Sequence, residues 1–210
     1  MTVIAPGEAS ALPPQAVRPV NPADYRPAFL NVGVIVWLAS ELMFFSGLFA
    51  AFYTLRAADA QATGWPTHGD KIDAVTVGMA TIILLISSFT MQMGVHRATK
   101  ADKAGFLGWL AMTFVLGALF DGMQLYDYAG RNFPVYQDAW TSCFYVLTGI
   151  HALHVAGGLM GMVIMGVRSK FSKKFGHHTL PAIEFLSYYW HFVDIVWIAL
   201  YASIFLLRGH

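Results

Sequence analysis

Charged side chains are scarce. The 13 Lys and Arg and 12 Asp and Glu make up 12% of the 210 residues, where an ordinary soluble domain carries roughly 25%. Too few remain to cover a soluble surface, and a net charge of +1 provides no basic face for nucleic acid. A lone cysteine, Cys143, excludes an internal disulfide framework and leaves the redox compartment unread. Proline is rare after residue 28: only Pro66, Pro134 and Pro181 follow, and none interrupts an apolar run. No nucleophile motif, Gly-rich phosphate loop or Cys-based metal motif occurs. No apolar run shows the strict alternation of a barrel strand, which excludes a transmembrane barrel.

What the chain does contain is apolar length. Hydrophobic residues account for 57%, gathered in five stretches at about residues 29–55, 74–96, 105–126, 142–167 and 183–207. Each exceeds the ~18 residues that suggest a spanning helix. In lipid the backbone must bond to itself, so the expected fold is all-α: an integral membrane bundle of five transmembrane helices over residues 29–210. Residues 1–28 hold six of the nine prolines and form a separate Pro-rich tail, expected to be cytoplasmic and extended or disordered. They lack the basic segment, apolar core and small-residue cleavage site of a signal peptide, so the mature protein is expected to keep them.

Basic residues set the expected orientation. Arg18, Arg26, Arg97, Lys100, Lys103, Arg168, Lys170, Lys173 and Lys174 would share one side; Arg56, Lys71, Arg131 and Arg208 would share the other. By the positive-inside rule the N-terminus is cytoplasmic and, after five crossings, the C-terminus is outside. Trp65, Trp109 and Trp140 fall near the predicted span ends, where interfacial aromatics belong. The turn-rich connection at residues 56–73 carries Gly64-Trp65-Pro66. The basic loop at 168–179 lies on the predicted cytoplasmic side, within reach of anionic headgroups.

The informative residues are the ionisable ones inside the spans, because such groups are expensive in hydrocarbon and face protein or a cavity. Glu41 is about 18 Å into the first span at 1.5 Å per residue. Asp121 and Asp127 fall in the third, His151 and His154 in the fourth, His191 and Asp194 in the fifth. The i, i+3 spacing of His151–His154 and of His191–Asp194 puts each pair on one helical face. Trp190, Asp194 and Trp197 follow an i, i+4, i+7 seam. Gly157 and Gly161 form a small-xxx-small pair that allows close helix contact near the histidines. Ser87, Ser88, Thr90 and Ser142 read as packing hydroxyls that bond their own backbone, and the methionines as adaptable filler.

Three readings of these groups compete. A metal or haem site suits histidine, but the di-iron pattern needs Glu-x-x-His on two helices and none occurs. Two histidines at i, i+3 cannot clamp one iron from both sides. An autonomous transporter would carry a proton or ion path, although repeats and broken helices, frequent in such folds, are missing. In the third reading the groups are core contacts and partner-facing groups of a subunit that performs no chemistry itself.

Three blocks are more specific than their spacing. They are Ala39-Ser40-Glu41-Leu42-Met43-Phe44-Phe45-Ser46-Gly47, Thr148-Gly149-Ile150-His151-Ala152-Leu153-His154-Val155 and Tyr188-Tyr189-Trp190-His191-Phe192-Val193-Asp194. Together they resemble the subunit III family of the haem–copper oxidases, in its cytochrome c oxidase branch and in the short five-helix, actinobacterial-type form. The resemblance covers about residues 31–208. It implies an integral subunit of an aerobic aa3-type oxidase of the bacterial plasma membrane, with no active site, haem or copper of its own. Such a subunit packs beside the catalytic subunit, stabilises it, and supports its proton uptake as oxygen is reduced to water. Implied partners are subunits I and II, which carry haem and copper, together with membrane lipid and a cytochrome bc complex in a supercomplex.

By the same resemblance Glu41, His151, His154, His191 and Asp194 form a buried polar cluster supporting proton uptake, and Arg168 binds a phospholipid phosphate. Quinol-oxidase relatives share the histidine blocks and are the runner-up; they tend to place Asp where this chain has Glu41. Longer members have two further N-terminal helices flanking a lipid cleft, for which residues 1–28 are too short. Ile150 and Ala152 stand where many relatives have Phe and Gly, and Asp127 where they place Glu.

Overall fold

The computed structural model describes residues 29–62, 74–130, 139–171, 175 and 179–206. These form five α-helices: α1 Phe29–Ala62, α2 Ala74–Thr99, α3 Lys103–Gly130, α4 Ala139–Phe171 and α5 Leu180–Tyr201. The described residues contain no strand. The Pro-rich tail, Trp65 and most of the two expected loops lie outside the described residues. The helices outrun the apolar runs that predicted them. Residues 56–62 continue α1 and residues 168–171 continue α4, because a helix needs no apolar side chains once it leaves the hydrocarbon. At the far end, α5 passes into a π-helical turn, Ala202–Leu206.

Four helices contain stretches long and apolar enough to cross a membrane: Val32–Ala58, Thr76–Thr99, Lys103–Gly130 and Ala139–Phe171. At 22 residues, α5 has the length, but Glu184, His191 and Asp194 dilute its apolarity. It packs against α1, α2 and α4 and meets α3 through Trp197. A central helix faces protein on most sides and can therefore carry polar groups.

The turn between α2 and α3 is tight. Ala101 N–H donates to the Ala98 carbonyl and Asp102 N–H to that of Arg97, closing α2. Asp102 then caps α3, its carboxylate accepting from Gly105 N–H at 2.9 Å. The turn holds Ala101 at φ 56°, a left-handed conformation that costs an L-residue about 1–2 kcal/mol. Ala101→Gly relieves this and gives back part in chain entropy. A net gain of up to about 1 kcal/mol is expected, read as a raised unfolding midpoint in detergent. Beside the turn, Lys103 Nζ donates to the Lys170 carbonyl at 2.7 Å, which ties the start of α3 to the end of α4.

Lipid tails are as apolar as Leu, so close packing and interhelical hydrogen bonds hold such a bundle together. Both devices concentrate on α5. Trp190 and Trp197 are fully buried and dock on α2: Trp190 Nε1–H donates to Ser87 Oγ and Trp197 Nε1–H to Thr81 Oγ1, each at 3.0 Å. Both hydroxyls donate to carbonyls of their own helix, Leu84 and Val77, so each serves both helices at once. Thr90 and Thr113 join α2 to α3 at 2.9 Å. Glycines let α4 approach α5: Gly157, Gly158 and Gly161 face Tyr189, Trp190 and Leu186. The small-xxx-small spacing thus marks a true contact. Trp140, expected at an interface, is buried and stacked on Phe144 at 5.4 Å.

Candidate functional site

The intramembrane polar residues occupy three separate places. At the first, α1 meets α4. Glu41 Oε2 is 3.2 Å from His154 Nε2, and both side chains are about one-fifth exposed. His154 Nδ1 is 2.8 Å from the Ile150 carbonyl. A carbonyl only accepts, so Nδ1 carries a hydrogen. Nε2 then either accepts from a protonated Glu41 or, in an imidazolium, donates to the carboxylate. In either form one proton lies between the Glu41 oxygen and the His154 nitrogen. Phe45 presses edge-on against the imidazole at 4.9 Å, and Tyr189 O–H donates to the His154 carbonyl at 2.8 Å.

The second place lies between α2 and α5. Ser88 Oγ–H donates to Asp194 Oδ2 in a very short contact. That leaves the Ser88 lone pairs to receive His191 Nδ1–H at 3.2 Å, which fixes the imidazole hydrogen on Nδ1 in its neutral form. His191 Nε2 lies 3.4 Å from Oε1 of the exposed Gln92; with the hydrogen on Nδ1, a bond there needs the amide turned so that its N–H faces the ring. A chain of polar groups therefore runs from the bundle surface at Gln92 through His191 and Ser88 to the buried Asp194. Asp194 Oδ1 is buried without a hydrogen-bond partner among the described residues.

His151 occupies the third place alone. It is 1% exposed, stacked on Trp197 at 5.1 Å and met by the Phe120 edge at 6.2 Å. Neither ring nitrogen has a hydrogen-bond partner among the described residues. Aromatic rings on two sides make this a packing position.

The structure thus brings Glu41 to His154 and joins His191 to Asp194 through Ser88, while His151 stands apart from its expected companion. No three His, Cys, Asp or Glu converge among the described residues. Ser88 and Gln92, absent from the sequence-based set, complete the second group. The i, i+4 position of Gln92 relative to Ser88 on one apolar helix is the signal that could have found them. Asp121 is half-buried, with Oδ1 lacking a hydrogen-bond partner among the described residues. Arg168 is exposed in the last turn of α4.

Residues 26–208 match the family described as cytochrome c oxidase subunit III. The chain is 44% identical over 187 residues to a probable cytochrome c oxidase subunit 3 of Nocardia farcinica, covering 87% of this chain and 90% of that one. It is 37% identical over 198 residues to cytochrome c oxidase subunit 3 of Corynebacterium diphtheriae, with 93% and 94% covered. Against that of Thermostichus vulcanus the identity is 35% over 191 residues, with 90% and 92% covered.

Proposed function

We propose, from the premise that the chain belongs to the cytochrome c oxidase subunit III family, that it is the non-catalytic third subunit of an aa3-type oxidase. In this reading all five helices span the plasma membrane with the N-terminus cytoplasmic. The protein stabilises the catalytic subunit and supports its proton uptake; haem and copper reside in subunits I and II. The observation that carries the reading is the Glu41–His154 contact: a carboxyl oxygen and an imidazole nitrogen 3.2 Å apart, partly open at the bundle surface. Such a pair can pass a proton to a neighbour without placing net charge in lipid. Exposure of Arg168 beside Lys170 at the end of α4 supports binding of an anionic phospholipid, each base near such a surface contributing about 1 kcal/mol.

Affinity purification of the tagged chain from its native membranes tests the reading. Haem absorbance and oxidation of reduced cytochrome c should co-purify with it; a pure chain without haem-bearing partners would reject the reading. Glu41→Gln should change stability by less than about 1 kcal/mol, since the amide can still donate to His154 Nε2. It removes the mobile proton, so the assembled oxidase should show slowed proton uptake or a shorter active lifetime in turnover assays. Unchanged turnover and lifetime would leave the pair a purely structural contact.

A further inference from the structure

α1 is lightly held. Among its described side chains only Val34, Phe45 and Phe52 are buried, so core packing alone does not fix how far it stands from α4. The Glu41–His154 contact crosses that gap at 3.2 Å. This is the long end of the hydrogen-bond range, where a small further separation breaks the bond. On the α4 side the imidazole is fixed to its own helix, since Nδ1 meets the Ile150 carbonyl at 2.8 Å. The distance to Glu41 is therefore set by whatever spaces α1 from α4.

Tyr189 of α5 bridges the two helices. Its ring is buried and stacked on Trp37 at 5.4 Å, and Trp37 lies one turn before Glu41 on the same face of α1. Its hydroxyl donates to the His154 carbonyl at 2.8 Å. In an α-helix that oxygen already accepts from the N–H four residues on; its second lone pair takes the phenol. Two glycines of α4 make room: a Cβ at Gly157 would lie 3.3 Å from the Tyr189 hydroxyl oxygen, and one at Gly158 would lie 3.2 Å from Cε1. A buried tyrosine needs some acceptor. Here the acceptor belongs to the residue that supplies the imidazole, and the stacking partner flanks the residue that supplies the carboxyl. Phe45, one turn beyond Glu41, presses on the imidazole at 4.9 Å. We infer that Tyr189 is a positioning residue, which sets the separation of the Glu41 carboxyl from the His154 imidazole by bridging Trp37 to the His154 backbone. The inference rests on the reading of that pair given above and adds to it the residue that holds the pair together.

Tyr189→Phe keeps the ring and its stack on Trp37 and removes only the hydroxyl. Tyr53→Phe is the control: it removes the hydrogen bond that ties α1 to Ser203 Oγ at 2.7 Å, on the other side of Glu41 from Trp37. The full chain is labelled with heavy-nitrogen histidine and read by nitrogen NMR. The His154 signals are identified among its eight histidines as those lost in His154→Gln. In Tyr189→Phe the His154 Nε2 signal should move toward that of a free imidazole, while Tyr53→Phe leaves it in place. An unmoved signal in Tyr189→Phe, or an equal movement in Tyr53→Phe, would overturn the inference. In the assembled oxidase Tyr189→Phe should slow proton uptake or shorten the active lifetime in the same way as Glu41→Gln, and the double variant should be no worse than Glu41→Gln alone. Losses that multiply in the double variant would mean that Tyr189 acts independently of the pair, which also overturns it. The two measurements separate the claims. A moved signal with turnover and lifetime unchanged in both single variants keeps Tyr189 as the holder of the pair and rejects the pair's part in proton uptake.

Discussion

Gly158→Ala is expected to lower stability by about 2 kcal/mol, measured as the unfolding free energy in mixed detergent. A Cβ at Gly158 would lie 2.8 Å from Trp190 Cε3 and Cζ3, and one at Gly117 would lie 2.6 Å from Cη2 of the same ring. The indole is wedged between α4 and α3, and its Nε1–H is held by Ser87 on α2. With three helices fixing it, the ring can yield only slightly, toward the glycine on its other side. Overpacking of this kind costs about 1–3 kcal/mol, here at the upper end, offset by roughly 1 kcal/mol from the better helix propensity of Ala. Gly149, on the same helix, has open space around its would-be Cβ, so Gly149→Ala should be neutral or stabilising. Gly117→Ala should behave like Gly158→Ala. The double variant should lose more than the sum, since each single change lets the ring lean toward the other glycine. Equal stability of Gly158→Ala and Gly149→Ala would show that the indole is not so confined.

The second large effect is at the α2–α5 polar contact. Ser88→Ala removes the hydrogen bond to Asp194 Oδ2, while Oδ1 already lacks a partner among the described residues. A hydrogen bond to a charged group contributes about 1.5–3 kcal/mol, and a buried acceptor left alone bears its full desolvation cost. Ser88→Ala should therefore cost about 2–3 kcal/mol. Asp194→Leu should cost less, because the freed serine hydroxyl can bond its own helix as Ser87 does. Combining Ser88→Ala with Asp194→Leu should restore part of the loss, since no carboxylate is then left unpaired, although His191 Nδ1–H still loses its acceptor. A double variant as unstable as Ser88→Ala alone would mean that the serine matters for packing rather than for the carboxylate.

The helices were legible from the chain because length and apolarity are properties of consecutive residues. Helix ends were less so: α1 runs on past Leu55 to Ala62, where neither proline nor a cap stops it. The indole seam of α5 was also readable, since i, i+4, i+7 spacing puts Trp190, Asp194 and Trp197 on one side of a helix, and all three do face inward. The histidine pair was not. At i, i+3 the two rings are about 60° apart around the axis, close enough to count as one face in isolation. In a crowded bundle that angle is the difference between two interfaces, and it sends His154 toward α1 and His151 between α3 and α5.

Composition and spacing alone determined that this chain is an all-helical bundle of the kind a membrane holds, and which few ionisable side chains stand within it. Only the packing of α1, α2 and α4 around α5 decided how those side chains pair. Glu41 joins a histidine 113 positions away, and Asp194 depends on a serine 106 positions away. Helical periodicity orders residues around one axis, whereas these contacts depend on which axes lie side by side. That adjacency is settled by glycine clearances and indole–hydroxyl bonds that no single span contains.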